Sequence, residues 1–183
     1  MERAQELLKS TITQPHLIEH ALAVSASMGS MAKYFGEDVE YWEAIGLIHD
    51  YDYQQYPEEH LLHTEQPLRD AGVDEESIRA ILSHGWDIVN NIKPETNMEK
   101  SLYAMDAVSG LVSAAAKMRP TGILDMAASS VTKKFKDKSF AAGVNRDSII
   151  KGAEMLKIER SELFNLCIEG LKPHATRLGI AGK

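Results

Sequence analysis

The chain has 183 residues, 44% hydrophobic and 26% charged, enough apolar material for one compact domain with a real core. Its formal net charge of −7 excludes an extended nucleic-acid footprint, which needs a basic face, but leaves room for a small phosphate site. One cysteine, Cys167, excludes an intramolecular disulfide and reads as a small buried hydrophobe. The charged stretch Met1-Glu2-Arg3-Ala4-Gln5-Glu6 is unlike a signal peptide, and no run approaches membrane-spanning length. A cytoplasmic chain with no membrane partner is expected.

Nearly every segment reads as helix. The first long one starts at Pro15, a residue suited to a first helical turn. Leu17, Ala21, Val24, Met28, Met31 and Phe35 follow at alternating steps of four and three, an amphipathic stripe that Gly36 ends. A mostly apolar helix follows from about Glu40 to His49. Asp50 to Pro57 has no periodicity and reads as a structured loop. A short helix then ends at Ala71-Gly72, and Asp74 caps another that carries Ile78, Ile81 and Leu82 and ends near His84-Gly85.

Asn90 to Pro94 is a connector. Thr96 and Glu99 form a capping-box signature for a helix to about Lys117, which Arg119-Pro120-Thr121-Gly122 ends. A helix is expected around Leu124 to Val131, ahead of the lysine-rich run Lys133 to Lys138. Asn145 caps a helix through Leu156, and a last one begins near Ser161, with Pro173 kinking or dividing it. No strand-like alternation, repeat or linker is visible. The expectation is one all-α domain over 1–183, a compact helical bundle.

The chemistry centres on His49-Asp50, at the end of the apolar run Trp42 to Ile48. Burying an imidazole and a carboxylate together is costly unless something pairs with them. His20 lies beside the stripe of the first long helix, and Asp106 sits among apolar neighbours in the Leu102–Val112 stretch. Three helices thus each offer a ligand-type residue from an apolar setting, the way metal sites in helical bundles are built.

The order His20, His49-Asp50, Asp106 resembles the HD superfamily of metal-dependent phosphohydrolases. The stretches around His49-Asp50-Tyr51-Asp52-Tyr53, Tyr56 to His60, Ile81 to His84 and Lys133 to Ala141 are similar to its HDIG-domain predicted hydrolases. The resemblance covers about residues 15 to 180. It implies an all-α fold of the HD-domain type, with His20, His49, Asp50 and Asp106 as metal ligands. It also implies one or two divalent transition metals (Mn, Fe, Co, Ni or Zn), with metal-bound hydroxide as nucleophile. His60 and His84 stand where two-metal members add ligands, with His63 competing with His60. Those members often show His-His at the later position, where this chain has His84-Gly85. Asp52 is a candidate for orienting water or accepting a proton.

Lys133, Lys136 and, more weakly, Arg119 are candidates for holding a phosphate, against the ordinary alternative of a solvated face. Trp86, Tyr51, Tyr53 and Tyr56 read as packing rather than base-stacking groups. His16 and His20 are four apart, but Leu17-Ile18 replaces the glutamate position of a zinc-protease helix. The expected function is hydrolysis of a small phosphate monoester or nucleotide. Two rival readings stand beside it: a non-catalytic metal- or nucleotide-binding sensor, and a structural bundle whose ligand-type residues never converge.

Overall fold

The computed structural model describes residues 1–182, so the last residue of the expected 1–183 domain lies outside it. Its helices are α1 (Glu2–Thr11), α2 (Pro15–Phe35), α3 (Val39–Ile48), α4 (Glu65–Asp70), α5 (Glu75–Ser83), α6 (Asn97–Lys117), α7 (Ala128–Lys136), α8 (Arg146–Leu156) and α9 (Arg160–Leu171). Short 3₁₀ turns at Pro57–Glu59 and Lys172–His174 complete the order. Among the described residues there is no strand, only an isolated bridge between Trp86 and Asn90. The all-α expectation holds.

Local chemistry accounts for the boundaries. Pro15 opens α2, and Gly36 closes it at φ 73°, a left-handed position that favours glycine. Asp38 caps α3 by accepting from the Tyr41 amide, and Asp74 caps α5 by accepting from the Ser77 amide. Thr96 and Glu99 form the expected capping box on α6. Glu99 is itself buried and paired with Arg79, so this cap also ties α6 to α5.

Three boundaries differ from the sequence reading. Residues 2–11 form α1, which the reading left unassigned, and α1 packs on α3 through Ala4 and Leu8. The helix expected at Leu124 to Val131 starts instead at Ala128 and runs through the lysines to Lys136. The preceding Ile123 is drawn out of helical register because its amide donates to the Ile180 carbonyl at 2.8 Å, leaving Leu124 exposed. Pro173 does not kink α9. It follows its end and opens a 3₁₀ turn.

α2 and α6 are the two longest helices and form the frame. α2 packs on α3, α6 and α9, while α6 also touches α5, α7, α8 and α9. One apolar cluster, with Met28, Met31, Leu102, Met105, Leu111 and Phe164 fully buried, runs through the whole assembly. At the α2–α3 crossing Gly46 lets the two backbones meet. A Cβ there would lie 2.9 Å from Met28 Cγ and 3.0 Å from Ser25 Cα. That close approach brings the end of α3 against the His20 turn of α2.

Gly46→Val should therefore lower unfolding free energy by about 1–3 kcal/mol through overpacking, although valine is the better helix former. Chemical denaturation measures this. Unchanged or increased stability would mean the crossing is looser than described.

Candidate metal centre

Two helices end in the same device. His49 follows the last residue of α3, and its Nδ1 lies 2.8 Å from the Gly46 carbonyl. His84 follows α5, with its Nδ1 2.5 Å from the Ile81 carbonyl. A carbonyl only accepts, so each Nδ1 donates to a carbonyl in the last turn of its helix; the Ile81 carbonyl also accepts from the His84 amide at 3.3 Å. The proton is thereby placed on Nδ1, and each Nε2 presents a lone pair.

The loop after α3 repeats this with a carboxylate. Asp52 is 2% exposed and accepts from His60 Nδ1 at 2.9 Å, the Leu61 amide at 3.1 Å and the His63 amide at 3.0 Å. Those bonds hold the Asp52 carboxyl below its usual range, although burial pushes the other way. They also hold Leu61 in the left-handed region at φ 70°, a conformation costing about 1–3 kcal/mol for a side-chain-bearing residue. Gln54 anchors the same loop to the α1–α2 connection by bonding the Thr13 and Gln14 amides at 2.8 and 2.9 Å.

These devices aim every ligand-type atom at one place. His20 Nε2 lies 3.2 Å from His49 Nε2, 3.1 Å from Asp106 Oδ1 and 3.6 Å from Asp50 Oδ2. Asp50 Oδ1 lies 3.3 Å from His49 Nε2, 3.3 Å from His60 Nε2 and 3.6 Å from His84 Nε2. His60 Nε2 and His84 Nε2 are 3.2 Å apart. The reading in which these residues never converge is thus overturned. Asp50 turns Oδ2 to His20 and Oδ1 to His49, His60 and His84, and two overlapping groups could each hold an ion: His20, His49 and Asp106, and His49, Asp50 and His84.

The donor set fits a cation. With Nδ1 committed to a pure acceptor in His49, His60 and His84, three lone pairs face the Asp50 carboxylate with no donor between them. Such a cluster needs a proton or a metal ion at its centre. Burial works against charging His20, but the bond to Asp106 and the field of Asp50 outweigh it and raise the imidazole to about 9. His84 is raised for the same reason, by Asp50 against its own burial. The histidines in turn hold Asp50 and Asp106 below the usual carboxylate range, although burial pushes both up. Neutral imidazoles and ionised carboxylates converging in this way can hold a divalent ion.

The other expected site residues divide clearly. His63 is exposed, bonded to Glu59 at 2.6 Å and stacked on Tyr56, so His60 is the histidine that enters the cluster. At the expected His-His position, a side chain on Gly85 would meet Leu61 Cδ1 at 2.5 Å and Val89 Cγ2 at 2.6 Å, so a second histidine has no room. Asp52, expected near the chemistry, has both carboxylate oxygens occupied by the loop. Through the bond to Nδ1 it positions His60 towards the cluster. The sequence signal for that role was its spacing ahead of His60 in a loop without periodicity.

Arg119 lies past the end of α6, roughly 20 Å along the helix from Asp106, and is held by the Gly122 carbonyl and Asp125. Lys133 and Lys136 are exposed on α7 and make no ion pair or hydrogen bond with the cluster among the described residues. None of these three bonds to the cluster among the described residues. Cys167 is fully buried beside Ser27, and burial pushes its thiol up to about 12, which makes it inert as expected. Trp86 packs on Tyr103, and Tyr53 lies edge-on to His60.

Two outcomes follow. Asp52→Asn should weaken binding of divalent metal on the His60–His84 side by about 10- to 100-fold, because His60 loses its orienting carboxylate. Equilibrium metal titration reads this, and unchanged affinity would remove Asp52 from the site. Secondly, a metal must displace the His20 proton, so affinity should rise with pH and level off above about 9, with proton release on binding. Calorimetry in buffers of different ionisation enthalpy detects the released proton, and pH-independent affinity would contradict the assignment.

No curated protein and no solved structure matches the chain. A family model described as HD domain matches residues 17–111, just over half of the sequence, from the start of α2 through most of α6. That span contains His20, His49, Asp50, His60, His84 and Asp106. By this match and this geometry, the chain belongs to the HD domain family.

Proposed function

We propose that this chain is a metal-dependent phosphohydrolase acting on a small phosphate monoester or nucleotide. The observation that carries the reading is the ring of acceptor atoms around Asp50, whose Oδ1 lies 3.3 Å from both His49 Nε2 and His60 Nε2. Membership of a family made up mostly of metal-dependent hydrolases supports it. The mixed imidazole and carboxylate donors suit Mn, Fe, Co, Ni or Zn without selecting sharply among them. His20, His49, Asp50 and Asp106 would hold one ion, and Asp50, His60 and His84 a second.

When bound, such an ion lowers the pKa of a coordinated water towards ~7 and neutralises charge on a phosphate oxygen. The chain's own residues set access and orientation. His49 and His84 are 0% and 4% exposed and close the inner side, while His20 and Asp106 are half-open, so a phosphate enters over them. A groove of about 150 Å³ between α2 and α6 begins at His20 and passes Ser109 and Ser113 to Lys117. Its size suits the organic part of a small ester and not a polymer. Lys117, bonded to Glu19 at 3.0 Å, marks its far end.

The test is phosphate release from aryl phosphate and nucleoside monophosphates across the divalent metals. Turnover should require metal and be lost with chelator, and His49→Ala and Asp106→Ala should each lower kcat by roughly 100-fold or more. A metal-loaded protein that binds nucleotide without turnover would favour the sensor reading. Full activity in Asp106→Ala would refute the ligand set.

A further inference from the structure

A second cleft, of about 340 Å³, opens on the opposite flank of α2, between α1, α3 and the segment after α9. Leu8, Leu22, Leu47 and Leu178 form the apolar part of its wall, with Gln5 and Ser25 beside them. Leu8, Leu47 and Leu178 are otherwise buried, whereas Leu22 is only half-buried because this opening is where its side chain points. The volume falls within the range of small-molecule sites, which combine apolar walls with a few polar groups.

The rim is cationic in a chain whose net charge is −7. Lys9 and Arg177 line the cleft, are exposed, and have no carboxylate within ion-pair distance among the described residues, unlike Lys117, Arg119, Lys151 and Lys172. The His174 imidazole lines it too. One carboxylate, Glu43, belongs to the wall, but its head lies against the bare backbone of Gly29, a residue further along α2 that does not line the cleft. Apolar walls with two unpaired cations at the mouth complement a molecule with an apolar body and one anionic end.

We propose that this cleft is a binding site for a free single-chain amphiphilic carboxylate, its chain against the leucines and its carboxylate on Lys9 and Arg177. The site is separate from the metal centre. Ile18 and Leu22 face the cleft while His20, between them on α2, faces the metal centre. Leu178 lines both the cleft and the groove beside His20, so an occupant packs against the back of the helix that carries a metal ligand.

Calorimetric titration of the full metal-loaded chain with decanoate, kept below its micelle-forming concentration, tests this. One decanoate per chain should bind, with decanol and decyltrimethylammonium at least tenfold weaker. The Lys9→Gln, Arg177→Gln double variant should lose about tenfold in affinity, as expected for a lost charge-assisted contact. Leu22→Trp, which fills the cleft from a half-exposed position, should abolish binding, and phosphatidylglycerol vesicles should not compete. No saturable binding, equal affinity for decanol, or displacement by vesicles would overturn the proposal. Decanoate binding unchanged in Leu22→Trp would also overturn it, because the carboxylate would then be sitting on the metal centre.

Discussion

The structure depends on one electrostatic constraint: hydrogen-bond acceptors are made to face acceptors. His49, His60 and His84 each spend their Nδ1 proton on a carbonyl or carboxylate and turn a lone pair towards Asp50. In water such groups would turn apart. In a buried site they are held together only if the frame is stiff and a cation sits among them. Much of the fold is accounted for as that frame.

Stiffness comes from several levels at once. Gly46 lets α3 lie directly on α2, so His49 and His20 arrive from different helices at 3.2 Å. The C-termini of α3 and α5 each use a carbonyl of the last turn to orient a histidine, so the positioning bond belongs to the helix end itself. Asp52 gathers three N–H groups and fixes a loop that would otherwise not hold Leu61 in the left-handed region. Ligands placed on rigid elements, with orienting partners behind them, are what a precise metal site requires. Gly85 shows the limit of the design: Leu61 and Val89 fill the space that a further histidine there would need.

Part of this was legible in the sequence for a physical reason. A His-Asp pair closing an apolar helix, and a carboxylate in the middle of another, are costly enough to imply a partner, and the stripe along α2 showed that His20 borders the core. What could not be read was direction. The sequence does not say that His60 turns inward and His63 outward, because both sit in a loop without periodicity and the choice is made by the Asp52 bonds. α1 was missed because Glu2–Thr11 is short and carries few apolar residues, and its helix rests on packing against α3. The lysine run looked like a phosphate site because it was the one basic stretch in an acidic chain. Lys133, Lys134 and Lys136 fall in the last turn of α7, whose start is not legible locally because a long-range bond from Ile123 to Ile180 draws the chain out of helical register.

The remaining functional logic rests on the asymmetry of the cluster. His49 and His84 are buried, while His20 and Asp106 are partly exposed, and His20 lines a short groove. The most direct test of the account is where metal binds. Anomalous scattering from crystals of the chain grown with manganese should show ions lodged on both sides of the Asp50 carboxylate, one near His20, His49 and Asp106 and one near His60 and His84. Crystals grown the same way with no anomalous peak between these side chains would contradict it.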